Sequence, residues 1–196
     1  MPRKPREIVA GGIYHVFARG NRRQPLFFAD EDRRRYLALW GAVARDLRWS
    51  CLAYCLMDNH VHHVVELSEP NLSDGVQLAH ANYARYLNDA SGKDGHVFQG
   101  RFGSKRCDDQ VGVWSVVAYV VLNPVRAGLC ARPEDHAWSS HAATIGTARC
   151  PPWLDLQRVR SLYAVDGMDP VERYAQMVET LRLLGPAGPA PPAVRG

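Results

Sequence analysis

The spacing of hydrophobic and polar positions changes several times along the chain, and each change marks an element. Between Gly12 and Gly20, Ile13, Tyr14, Val16 and Phe17 form a β-branched and aromatic run that predicts a first strand. A polar loop follows. From Asp30, a candidate cap, the apolar residues Tyr36, Leu37, Trp40, Val43, Ala44 and Leu47 keep the i, i+3, i+4, i+7 spacing of a helix laid on one sheet face. Ser50 to Leu56 and His60 to Leu67 read as two strands joined by a tight turn over Met57, Asp58 and Asn59. Ser73 or Asp74 can cap a second helix that carries Val76, Ala79, Tyr83, Tyr86 and Leu87 and stops before Gly92. A glycine-rich segment over 96–107 leads into a further short strand. Val113, Val116, Val117, Val120 and Val121 then recur at helical spacing, against valine's preference for strands, and predict a helix. It must stop near Asn123, because Pro124 disfavours helical geometry in the residue before it.

Strand, helix, strand, strand, helix, strand, helix is the order of an α+β fold with a central antiparallel sheet, the ferredoxin-like split βαβ arrangement. With 196 residues and 46% apolar content, the chain has material for one core plus a tail. Residues 143–184 are expected to form a C-terminal helical extension, with a helix from about Pro170 to Leu184, and residues 185–196, rich in Gly, Pro and Ala, a disordered tail. The five cysteines form no C-x-x-C pair and read as reduced thiols, and no apolar run approaches the ~20 residues that span a bilayer. A cytoplasmic protein without a membrane partner is the expectation.

A formal charge of +4 raises the prior for a polyanionic partner only slightly; its distribution says more. Arg3, Lys4 and Arg6 open the chain, Arg22 and Arg23 follow Gly20 and Asn21, and Arg101, Lys105 and Arg106 cluster near the last strand. On a strand, His60 and His62 project to one face, where two imidazoles can chelate a cation, while His63 projects to the other. Taken alone, such a pair is weak evidence. Tyr119 and Asn123, four residues apart on the valine helix, stack about one turn apart at the border of its apolar stripe. That is where a side chain reaching a site between helix and sheet belongs.

Four ordered stretches, Tyr14 to Asn21, Met57 to His62, Phe98 to Phe102 and Tyr119 to Gly128, followed by Trp138 to Ser140, make the sequence resemble the HUH single-tyrosine transposases, most closely their REP-associated tyrosine branch. The resemblance covers roughly residues 8 to 142 and implies a catalytic domain over 1–142. In the family's pattern His60 and His62 match the HUH pair, Tyr119 the nucleophile, and Asn123 the polar residue that completes the metal site. The implied activity is metal-dependent cleavage and rejoining of single-stranded DNA near hairpins through a 5′-phosphotyrosine, with Mg²⁺ or Mn²⁺ as the cofactor suited to a mixed nitrogen and oxygen site and no nucleotide cofactor. Single-stranded or hairpin DNA is the implied partner. Arg3, Lys4, Arg6, Arg19, Arg22, Arg23, Arg101, Lys105, Arg106 and Arg126 are candidates for DNA contacts, with Arg126 expected close to the tyrosine. A monomer is expected rather than a homodimer. The chain departs from the pattern at Asp58, where the family usually has Pro and where a carboxylate is expected beside the metal site, and at His63, expected to point away. Two rival readings are a DNA-binding protein that keeps the fold without cleavage and a His-x-His metallohydrolase.

Overall fold

The computed structural model describes residues 7–165 and 167–185. Its elements are β1 (Ile13–Arg19), α1 (Asp30–Asp46), β2 (Ser50–Met57), β3 (His60–Glu66), α2 (Leu72–Ser91), β4 (Gly103–Cys107), α3 (Gln110–Val121), α4 (Asn123–Arg126), α5 (His141–Thr144), α6 (Leu156–Tyr163) and α7 (Pro170–Leu183). The strands form one antiparallel sheet in the order β2-β3-β1-β4. This is the split βαβ arrangement expected from the element order. The valine segment is a helix, its Val113, Val117, Val120 and Val121 buried together on the sheet.

Local signals set the helix ends, though not always through the residues expected. Asp30 is the first residue of α1 rather than its cap; the Asp32 carboxylate instead accepts from the backbone N–H of Phe28 (2.7 Å) and Ala29 (2.9 Å). Neither Ser73 nor Asp74 caps α2, which begins after Asn71, whose Oδ1 is taken by the indole N–H of Trp49 at 2.7 Å. Gly92 closes α2 in the left-handed conformation with φ 63°. Asp109 caps α3, its carboxylate accepting from Gly112 N–H at 2.6 Å.

Both faces of the sheet are covered. Tyr14, Val16 and Ala18 of β1 and Val61 and Val65 of β3 pack against Tyr36 and Trp40 of α1 and Val76 and Tyr83 of α2. His63 belongs to this face: its ring lies flat on Trp40, centres 3.6 Å apart, and its Nε2 is 3.2 Å from the Tyr36 hydroxyl. On the opposite face Leu52, Cys55 and Val64 pack against Val113, Val117, Val120 and Val121 of α3. Val159, Leu162 and Tyr163 of α6 and Tyr174 and Val178 of α7 complete this second core. The C-terminal helices are therefore built into the sheet's second layer. At the edge, Gly103 faces Phe17, and a Cβ on residue 103 would clash with the Cε2–Cζ edge of the Phe17 ring. All five cysteines are free, and no helix among the described residues is long and apolar enough to cross a membrane. The tail expected after residue 185 lies outside the described residues.

Gly75 tests the packing of α2 on the loop before β2. A Cβ there would meet the buried Trp49 ring and come within 2.6 Å of Leu47 Cδ1. Alanine gains ~1 kcal/mol in helix propensity, whereas overpacking a core costs roughly 1–3 kcal/mol. Trp49 is pinned by its bond to Asn71, so the second effect wins. Gly75→Ala is expected to lower the urea midpoint; an equal or higher midpoint would mean that the tryptophan yields.

Candidate active site

The pairing of β1 with β3 sets Phe17 opposite His62 and Arg19 opposite His60. Strand alternation then places His15, Phe17 and Arg19 together with His60 and His62 on the face that α3 covers. Tyr119, in the last turn of α3, reaches the same spot. Its ring centre is 5.8 Å from that of His62, edge-on at 89°, and 5.8 Å from that of His15 at 69°. The rings of His60 and His62 are 5.1 Å apart and perpendicular.

Each imidazole has one nitrogen engaged. His60 Nδ1 is 2.8 Å from Asn59 Oδ1, and His62 Nδ1 is 2.9 Å from His15 Nε2. His62 Nε2 is buried without any partner. Asn123 opens α4 and turns its amide back, Nδ2 donating to the carbonyl oxygens of Tyr119 (2.9 Å) and Val120 (3.3 Å). This ties up the nitrogen in closing α3 and leaves Oδ1 as the atom with which Asn123 can meet a ligand. Arg126 lays its guanidinium 5.1 Å from the centre of the Tyr119 ring.

The electrostatics follow from burial. Desolvation, reinforced by Lys105, pushes His15 down to about 4, and desolvation with Arg19 nearby takes His60 to about 4 although Asp58 opposes it. His62 is lowered well below the ordinary value by burial and then by His15, His60, His63 and Arg19. At neutral pH all three are uncharged, the state in which imidazole binds metals. Burial raises the Tyr119 phenol, while Arg126, the Asn123 amide and Arg19 act to lower it.

These residues fit a divalent cation. A buried imidazole nitrogen with no hydrogen-bond partner is a vacant donor, and the spacing of the His60 and His62 rings suits a shared ion: with metal–nitrogen bonds of about 2.1 Å, ring centres fall roughly 4.5–5.2 Å apart. Among the described residues no three of His, Cys, Asp and Glu gather around a point where a metal could bind. His60 and His62 are the imidazole donors at this point, and the Asn123 amide, in the turn after Tyr119, leaves its oxygen free of the bonds its nitrogen makes. Asp58 stands near enough to act on His60 electrostatically, and its Oδ1 is bound by Arg33 of α1 at 2.6 Å, so a neighbouring cation shares its charge.

The candidate DNA-contacting residues separate into groups. Arg19 and Arg126 border the tyrosine and histidines, and Lys105 stands opposite His15 on the same sheet face. Arg22 and Arg23 are exposed in a 3₁₀ turn at Asn21–Arg23 with positive φ, and Arg101 is exposed in the loop before β4. Arg106 projects to the other face and meets Asp108 at 3.3 Å. Arg3, Lys4 and Arg6 lie outside the described residues. Two tyrosines of α2 are committed elsewhere, Tyr83 to the Leu26 carbonyl and Tyr86 to Asp32. Sequence reasoning overlooked His15 as a site residue, although its position on β1, at even spacing from Phe17 and Arg19, was the available signal.

The model of the family described as "Transposase IS200 like" matches residues 8–123, more than half of the chain and a span that holds His60, His62, Tyr119 and Asn123. The chain belongs to the IS200-like transposase family. No curated protein matches it. Among solved structures, one described as the REP-associated tyrosine transposase bound to a REP hairpin aligns with a TM-score of 0.64 and 20% identity, over 86% of this chain and 94% of that one. At that identity the likeness is one of fold, and this IS200-like chain shares the four-stranded α+β architecture.

The buried imidazoles give the protein a pH-dependent stability. His15 and His60 titrate near 4 and His80 near 3 in the fold, against about 6.5 for a free imidazole. Between those values the unfolded chain takes up protons that the fold refuses, so stability is complete above about pH 6.5 and declines as pH falls toward 4. Urea unfolding in the presence of chelator is expected to show a lower midpoint at pH 5 than at pH 7.5. A flat profile would mean that the imidazoles charge inside the fold.

Proposed function

We propose that this chain is a single-stranded DNA endonuclease and strand transferase that cuts beside hairpin DNA, with Tyr119 as nucleophile and His60, His62 and Asn123 as the ligands of a divalent cation, Mg²⁺ or Mn²⁺. The observation that carries the reading is the edge-on approach of Tyr119 to His62, whose Nε2 is buried and unpartnered. The ring of a tyrosine and that of a histidine with a free nitrogen, from different elements, meet where Arg19 and Arg126 supply positive charge. Family membership supports the same reading, as does the fold shared with a transposase described as bound to a REP hairpin.

When bound, the cation supplies Lewis-acid polarisation of the scissile phosphate. The chain's own residues do the rest. The Tyr119 phenol loses its proton, and its oxygen attacks phosphorus; the new O–P bond forms as the bond to the 3′-oxygen breaks, and that oxygen takes up a proton as a free 3′-hydroxyl. The 5′-phosphotyrosine keeps the phosphodiester's energy for rejoining, so no nucleotide cofactor is needed. Because burial raises the phenol, the nearby Arg126 and Arg19 matter: each favours the phenolate and the phosphate charge beside it. Arg22, Arg23, Arg101 and Lys105 are placed for backbone contacts outside the reacting centre.

Tyr119→Phe removes one half-buried oxygen, so it should cost at most about 1 kcal/mol of stability and leave DNA affinity within a few-fold. It is expected to abolish the covalent protein–DNA adduct formed with labelled single-stranded DNA and Mn²⁺, as chelator should in the unaltered protein. An adduct from Tyr119→Phe would remove the nucleophile assignment. A binder without cleavage would give only a mobility shift.

The strand requirement is a separate expectation. In-line attack demands backbone distortion that a paired duplex resists, so one strand of a hairpin element should be nicked and the full duplex spared. Affinity should fall with salt at a log–log slope of about −0.7 per phosphate neutralised. Equal cutting of duplex and single strand would overturn the substrate class.

A further inference from the structure

Two imidazoles joined by one hydrogen bond can share a single proton in only two ways. The bond between His62 Nδ1 and His15 Nε2, at 2.9 Å, is either donated by His62 or donated by His15. If His15 donates, the proton of His62 sits on Nε2, an atom buried with no acceptor within reach. Buried and unpartnered, Nε2 is unsatisfied whether it bears the proton or the lone pair, but only the lone pair can be satisfied by a cation. If His62 donates, its Nε2 carries a lone pair instead.

We propose that His15 is a positioning residue for His62, accepting the Nδ1 proton so that His62 Nε2 is held as an unprotonated donor toward the cation. This rests on the proposed metal-site reading of His60 and His62. The geometry favours it beyond the single bond. His15 is 2% exposed and fixed by pairing on both sides of β1, opposite Val64 and Lys105, so its ring is a rigid acceptor. Its ring lies edge to edge with that of His62, centres 5.1 Å apart and planes 22° apart, and it meets the Tyr119 ring at 5.8 Å. One imidazole thus braces both the candidate ligand and the candidate nucleophile. Such outer partners commonly orient a metal-binding histidine, and their loss weakens metal affinity by about 10–100-fold.

The test uses the full chain with ¹⁵N-labelled histidine. In metal-free protein at pH 7.5, long-range ¹H–¹⁵N spectra are expected to show His62 protonated at Nδ1 and bare at Nε2. His15→Phe keeps a ring of similar volume but offers no acceptor; it should move the His62 proton toward Nε2 and weaken Mn²⁺ binding, read by electron paramagnetic resonance, by about 10–100-fold. His15→Gln, whose amide oxygen accepts the same proton, should restore both readings in large part. A purely structural role would not separate Phe from Gln in this way. A His62 proton on Nε2 in the unaltered protein, or Mn²⁺ affinity and tautomer unchanged in His15→Phe, would overturn the proposal. His60→Ala separates the two claims: if it leaves Mn²⁺ affinity intact the metal-site reading fails, whereas weakened binding in His60→Ala with none in His15→Phe overturns the role of His15 alone.

Discussion

The register between β1 and β3 is the constraint on which the rest of the site depends. A slip of one residue would exchange the faces of the whole strand: His63 would enter the site and His62 the opposite core. What prevents the slip lies on the far side of the sheet, where His63 is flat against Trp40 and bonded to Tyr36, which in turn lies 3.3 Å from His80 Nε2. His63 is thus the complement of His62, a residue whose burial in one layer aims its neighbour into the other. The proximity of Tyr119 depends on the same arrangement, since α3 rests on the valine and cysteine side chains that share a face with His60 and His62.

Charge is distributed to match. The interior of the site is a set of imidazoles kept neutral by burial, while permanent cations, Arg19, Arg126 and Lys105, stand around it. A protein that placed charged groups inside would meet a large desolvation cost. Here the buried groups donate lone pairs without carrying charge, and the rim supplies the field. Arg126 serves both roles over Tyr119, since it covers the ring and opposes the effect of burial on the phenol.

Much of this was legible in the sequence because it follows from period and handedness. Alternation on β3 separated His60 and His62 from His63, the 3.6-residue repeat carried Tyr119 and Asn123 to one flank of the valine helix, and Pro124 marked where that helix ends. What was not legible depends on which groups meet across long separations. Asp58 carried no sign of Arg33, on the helix before β2, which pairs with its carboxylate beside His60. His15 was one residue in a hydrophobic run, and only the pairing of β1 with β3 brings it to His62. Asp32 rather than Asp30 secures α1 because the backbone turns over Phe28 and Ala29, a geometry the acidic triplet Asp30 to Asp32 leaves undecided. The helices beyond residue 143 read as an appendage since their apolar residues carry no mark of the surface they cover.

Gly103 gives the site a property that reaches past its own position. Because that residue has no side chain, Phe17 rests directly on the backbone of β4, beside His15 and 6.4 Å from His62. The height of the Phe17 ring over that edge of the sheet is consequently set by the main chain of β4. Lys105, two residues on along the same strand and opposite His15, brings its charge to this face without touching that support.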